Sequence, residues 1–258
     1  MVRYEVRGGV AWLTLCDPPV NGYSHEMMLA LDRAILAARF DDAVHVLVVT
    51  GAGEKFFCAG ANIEQLKAMT PSFKYSFCLH ANETLLRLEH TPKLTIAALN
   101  GHCVGGGLEV ALACDLRVAR EGAGKIGLPE VALGVLPGTG GTQRLTRVLG
   151  ASRALDWMVH GRNVDVAEAE RAGLVHRILP AAGFVDAVQQ YAEQFCAPRK
   201  ASLAVGMIKR AVLGGGELPL ESGLALEREL QARLFASADC RIGLEAFLAK
   251  QAPAFTGR

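Results

Sequence analysis

Two segments of the chain share one pattern. "VLVVTGAGEKFFCAGANI" (residues 46–63) and "LTIAALNGHCVGGGLE" (residues 94–109) each run from an apolar strand through a turn into small residues and then a helix. β-branched runs ending in Gly read as buried strands of a parallel sheet. A parallel sheet needs a crossover between successive strands. The recurrence therefore suits a repeated ββα or βα unit.

The rest of the chain is read around that repeat. "YEV" and "VAWLTL" flank Arg7-Gly8-Gly9 and predict a hairpin. Ser24 is placed to cap a helix whose apolar face holds Met28, Leu31, Ile35 and Leu36. Pro71 and Ser72 open a second amphipathic helix that ends near His90, and a third runs from about Val104 to Ala113. "CDLRVAR" reads as a short strand, and a helix starts near Gly140. From Ala151 onward the pattern is mostly helical, broken at Pro180, Pro198 and "GGGELP". This predicts an α/β core over residues 1–197 and a helical region over 198–258.

A chain of 258 residues, 51% hydrophobic and 21% charged, can bury a sizeable core. A net charge of +1 leaves no electrostatic footprint for nucleic acid or an anionic membrane. No run approaches the ~20 apolar residues that span a bilayer, and the first residues do not read as a signal peptide. Cysteines 16, 58, 78, 103, 114, 196 and 240 are dispersed without C-x-x-C spacing, which suits reduced thiols in a cytoplasmic protein, or in a mitochondrial matrix for a processed form.

The familiar phosphate loops fail on inspection. "GAGK" (122–125) lacks the spacing of a nucleotide loop, and "GTGGTQ" (138–143) misses its last glycine. No two histidines stand four apart as a helical metal pair. Nothing near His102 positions it as a base, so it reads as structural or solvated.

The glycine run "VGGGLE" and the turn "FFCAGAN" each precede a helix, where backbone N–H groups lack internal partners and carry the positive end of the helix dipole. One amide from each, meeting at one oxygen, would stabilise an oxyanion. The glycines would equally permit tight packing. Glu109 and Glu130 stand in apolar surroundings. Each either serves general acid–base chemistry, or caps a helix end, or pairs with Arg117, Arg144 or Arg147.

With "FFCAGANI", "NGHCVGGGLEVALACDLRVA" and "GLPEVALGVLPGTGGTQRL" on the page, the chain resembles the crotonase superfamily, most nearly its enoyl-CoA hydratases. The similarity runs from the hairpin to "GLEAFLAKQAPAF". The resemblance implies a spiral of ββα units with a C-terminal helical region that builds trimers or dimers of trimers. It implies acyl-CoA substrates and no metal or redox cofactor, coenzyme A being part of the substrate. Oxyanion-hole amides match Ala59 and Gly106, and the acid–base pair matches Glu109 and Glu130. CoA contacts match Val20, Asn21, Ala61, Asn62 and Ile63, with Lys250 reaching CoA phosphate. Asn62 replaces an Asp frequent in relatives, which bears on the cap of the following helix and on adenine contacts. Acyl-tunnel candidates lie in residues 73–86 and in "LPGTGG".

The implied reaction adds water to a trans-2-enoyl-CoA, with Glu109 taking a proton from water and Glu130 delivering one to C2. Isomerase relatives typically keep one carboxylate, usually matching Glu130, so the presence of both favours hydration over isomerisation, hydrolysis or decarboxylation. Some relatives contact RNA through a lysine-rich first helix. Here that helix carries only Glu26, Asp32, Arg33 and Arg39, which argues against an RNA surface.

Overall fold

The computed structural model describes residues 1–258 apart from Asn62. The chain opens with the expected hairpin, β1 (Val2–Arg7) against β2 (Val10–Leu15), and then enters α1 (His25–Phe40). Three coils follow. The first holds β3 (Val46–Gly51), β4 (Phe56–Cys58), α2 (Ile63–Ala68) and α3 (Pro71–Glu89). The second holds β5 (Leu94–Leu99), β6 (His102–Val104) and α4 (Gly106–Leu112). The third holds β7 (Leu116–Arg120), β8 (Lys125–Gly127), a 3-10 turn (Glu130–Leu133) and α5 (Gly141–Leu149).

The first strand of every coil joins one sheet, ordered β1-β2-β3-β5-β7-β10, where β10 is Arg177–Leu179. The second strand joins another, ordered β4-β6-β8-β9, where β9 is Asn163–Asp165. The repeat is therefore ββα. The remaining helices are α6 (Ala151–Val159), α7 (Val166–Arg171), α8 (Phe184–Glu193), α9 (Ser202–Gly215), α10 (Leu220–Phe235) and α11 (Ala238–Leu248).

Strand alternation sorts the core into two layers. Leu47, Val49, Ala97, Leu99 and Ala119 face a cluster built with α1, α3 and α4. Val46, Val48, Ile96, Ala98 and Val118 face the opposite side, which Phe184, Val188 and Ala192 of α8 cover. Both faces of these strands are buried, which accounts for their unbroken apolar runs.

α1 starts as its sequence predicts: Ser24 accepts the N–H of Met27 at 3.1 Å. Met28, Leu31 and Ile35 are buried, but Leu36 is only half-buried, because the inner face continues through Ala34 and Ala38. The expected helix start at Val104 is corrected. Val104 ends β6, and Gly105, at φ 56°, breaks the backbone before α4 begins at Gly106. The chain beyond Ala151 is mostly helical, as expected, with the short strands β9 and β10 extending the two sheets.

Close approach of main chain to main chain sets the spacing of the coils. A Cβ on Gly51 would lie 2.2 Å from Phe56 O, so only glycine fits there. Asn100 bridges the same turn, donating to Gly53 O (2.7 Å) and Phe56 O (3.2 Å) while accepting Gly51 N (3.0 Å).

α9 is pinned to the core by a buried ion pair. Lys209 Nζ lies 2.9 Å from Asp115 Oδ2 and donates to Lys93 O, and Asp115 also accepts from Thr95 N. α10 and α11 carry large exposed apolar side chains, among them Leu220, Phe235, Phe247 and Leu248. Among the described residues, no helix is long and apolar enough to cross a membrane.

Candidate active site

β4 and β6 run parallel and side by side, with Phe56 opposite His102 and Cys58 opposite Cys103. The segments leaving them must emerge together. A Cβ on Gly107 would lie 2.2 Å from Cys58 O, and one on Gly60 would lie 3.7 Å from Gly106 N. The two small-residue turns are thus in main-chain contact, as their common position after neighbouring strands predicts.

The amides of the first turn are not equivalent. Ala59 N donates to Val20 O at 3.1 Å. Ala59, the expected donor, is therefore corrected: its N–H is already engaged inside the fold. Ala61 N follows and, among the described residues, has no acceptor. Gly106 N is likewise without an acceptor among the described residues, as befits the first residue of α4. Ala61 and Gly106 are thus among the amides that the two turns leave without acceptors among the described residues.

Glu109 lies in the first turn of α4 and is 3% exposed. Its Oε1 accepts Thr139 N (2.7 Å) and Gly141 N (2.8 Å), and its Oε2 accepts the Thr139 hydroxyl. The carboxylate sits on the N-terminus of α5, where the dipole favours negative charge. Three donors leave one of its roughly four acceptor directions open.

Glu130 follows Pro129 and stands over the glycine run: Oε1 is 3.1 Å from where a Gly105 Cβ would lie. Its Oε2 is buried with no hydrogen-bond partner among the described residues. Burial raises its pKa to about 7; the Glu109 charge adds to the rise, while its own backbone N–H and Lys74 oppose it. The two glutamates thus have contrasting surroundings, one held by three donors and one desolvated.

Pairing with arginine does not occur for either glutamate. Arg117 donates to Leu174 O and Cys114 O, Arg144 pairs with Glu89, and Arg147 pairs with Glu217. His102 is structural: its Nδ1 accepts Lys125 N at 3.0 Å.

The residues matched to CoA contacts separate. Val20 is half-buried, and its carbonyl receives Ala59 N. Asn21 is corrected. Its side chain is buried, donates to Ala52 O (3.0 Å) and Phe56 O (2.9 Å), and accepts Asp17 N (3.3 Å). Its side chain braces the turn between β3 and β4. Ala61 is half-buried and Ile63 is exposed, both beside the donor turn. Asn62 lies outside the described residues. Lys250 is exposed just beyond α11, which packs on α10.

Sequence reasoning missed Tyr23, Thr139 and Gly141. The Tyr23 hydroxyl donates to Thr139 Oγ1 at 2.9 Å, and its ring lies edge-on to Phe77 with centroids 5.7 Å apart. The available signal was "GTGG": like the run at residues 105–107, it places glycines at a helix start, where amides point outward. Lys74 and Cys78 of α3 line the same region. Lys74 Nζ is 5.2 Å from the Phe77 ring centre, and Cys78 Sγ is 3.3 Å from the Gly138 Cβ position.

A ββα spiral holding two unengaged amides beside two dissimilar glutamates defines an enzyme-like site of the crotonase kind. The family described as enoyl-CoA hydratase/isomerase matches residues 5–258, and the chain belongs to it. The short-chain-enoyl-CoA hydratase of Clostridium acetobutylicum is 34% identical over 97% of this chain and 95% of its own. The 2,3-dehydroadipyl-CoA hydratase of Escherichia coli is 37% identical over 96% of both chains. The crystal structure of an enoyl-CoA hydratase from Geobacillus kaustophilus superposes with a TM-score of 0.96 at 45% identity, covering 100% of this chain and 97% of that one. One from Bacillus anthracis gives 0.93 at 31% identity, covering 100% and 99%. The fold is the crotonase fold.

Proposed function

We propose that this chain hydrates a trans-2-enoyl-CoA to a 3-hydroxyacyl-CoA. The observation that carries the reading is that the Ala61 and Gly106 amides lack acceptors among the described residues on two touching turns, with Glu109 in the first turn of α4 and Glu130 Oε1 beside Gly105. The thioester oxygen accepts both amides, which draws electron density from the double bond and makes C3 electrophilic. One such donor is worth about 3–4 kcal/mol in the transition state. Glu109 uses its remaining acceptor direction to hold the water and takes its proton as the oxygen bonds to C3. Glu130, protonated up to about pH 7, delivers a proton to C2. A carboxyl group held protonated near neutrality beside a second one is what such acid–base division requires.

The reading also covers the surroundings of the site. Val20, Ala61 and Ile63 flank the CoA path. Lys250 approaches CoA phosphate from a neighbouring copy, and the exposed apolar side chains on α10 and α11 cover one another in a trimer or a pair of trimers. Residues 198–258 serve that assembly. Seven free thiols suit the cytoplasm or a mitochondrial matrix. Sedimentation of the intact chain is expected to give three or six copies; a monomer overturns the assembly.

The test of the reaction is spectrophotometric. Incubation with crotonyl-CoA is expected to bleach the conjugated thioester absorbance with formation of 3-hydroxybutyryl-CoA. Unchanged absorbance across a panel of 2-enoyl-CoA esters, with a gain of conjugation on 3-enoyl-CoA esters, replaces hydration by double-bond isomerisation.

A further inference from the structure

We infer that Tyr23 is a positioning residue that aligns the two amide-bearing turns with the Glu109 carboxylate, an inference that rests on the hydratase reading. Three separate contacts from this one residue reach three separate parts of the site. Its backbone N–H donates to Gly60 O at 2.9 Å, which holds the turn carrying the Ala61 amide. Its ring lies against the second turn: a Cβ on Gly106 would fall 2.6 Å from Tyr23 Cγ and 2.8 Å from Cδ1. Its hydroxyl donates to Thr139 Oγ1 at 2.9 Å, and that oxygen passes its own hydrogen to Glu109 Oε2.

The chain of hydroxyls has one direction. Glu109 already accepts two backbone N–H groups on Oε1, so the Thr139 hydroxyl must donate to Oε2 and accept from Tyr23. Burial, with the Glu109 charge adding to it, holds the Tyr23 phenol well above its usual range, so it keeps its proton and donates at neutral pH. Tyr23, Thr139 and Glu109 are 4%, 2% and 3% exposed, so water does not compete for these bonds. Glu109 is thereby held in one orientation in the first turn of α4, as a near-attack arrangement for hydration of C3 needs.

The experiment compares steady-state kinetics and pH profiles of Tyr23→Phe, Thr139→Val, Thr139→Ser and Tyr23→Phe/Thr139→Val on an accepted enoyl-CoA. It also records the thioester carbonyl stretch of a bound, unreactive acyl-CoA. Tyr23→Phe is expected to lower kcat about 10-fold with KM nearly unchanged, since it removes one charge-linked hydrogen bond and leaves the ring in place. Thr139→Val loses at least as much. Thr139→Ser restores wild-type kcat, and the double variant is no slower than Thr139→Val, because the chain is already cut. The carbonyl stretch stays as in wild type for Tyr23→Phe and moves toward that of acyl-CoA in water for Tyr23→Ala, which removes the ring from Gly106. Wild-type kcat and pH profile in Tyr23→Phe, or losses that add in the double variant, overturn the positioning role alone. A wild-type chain that hydrates no enoyl-CoA overturns the hydratase reading and this role with it.

Discussion

Gly141 gives its backbone N–H to Glu109 Oε1 over 2.8 Å, so α5 presents its positive end to the carboxylate. There is no room between them. A Cβ on Gly141 would lie 3.1 Å from Oε1 and 2.7 Å from Pro137 Cβ. Gly141→Ala is expected to push Glu109 out of line and lower kcat about 100-fold, since small displacements of a catalytic group are costly. Kinetics on crotonyl-CoA, beside an unchanged circular dichroism spectrum, measure this.

The carboxyl pair itself is tested by amide replacement. Glu109→Gln and Glu130→Gln are each expected to cut kcat by about 10²–10⁴, the usual contribution of a positioned acid or base. Calorimetric titration with a CoA thioester is expected to show binding retained. Full activity in either variant removes that residue from the mechanism.

Titration of Glu130 sets the pH dependence. As the acid in hydration it must carry its proton, so kcat/KM for hydration falls as pH rises through about 7. In the reverse dehydration it must be ionised, and that rate rises through the same pH. Stability follows the same group. Between its ordinary value of 4.5 and about 7, the folded chain holds a proton that the unfolded chain has released, so stability falls as pH rises across this window. Glu130→Gln removes the slope and is expected to melt higher than wild type at pH 8 but not at pH 4, as read by calorimetry.

Away from the site, Lys209 and Asp115 form an ion pair with side chains 4% and 11% exposed. Lys209→Met leaves the Asp115 carboxylate buried without its cation and is expected to cost about 3–5 kcal/mol. Urea denaturation measures the loss. The paired replacement Lys209→Met/Asp115→Asn is expected to recover part of it, because the uncompensated charge is gone.

Much of the architecture was legible because local chemistry and tertiary context agree. Ser24 caps α1, buried strands read as apolar runs, and the two small-residue turns announce helix starts whose amides face outward. Glu109 and Glu130 stood out because carboxylates rarely occur in apolar segments. Three-residue strands such as β9 and β10 carry no periodicity, so nothing local marks them. The choice between Ala59 and Ala61 turns on a bond to Val20 O, thirty-nine positions away from Ala59. Asn21 resembled a ligand residue until Ala52 O and Phe56 O accounted for its amide. Tyr23 and Thr139, 116 positions apart, are joined only by folding.

Gly101 against Lys55 O and Gly107 against Cys58 O make successive coils touch through peptide groups, with no side chain interposed. The gap between the two donor amides is consequently a property of peptide dimensions. Repacking the greasy interior can soften the molecule or raise its melting point while that gap holds its width. Acyl preference can therefore drift through changes on α3 with the thioester seat left as it was.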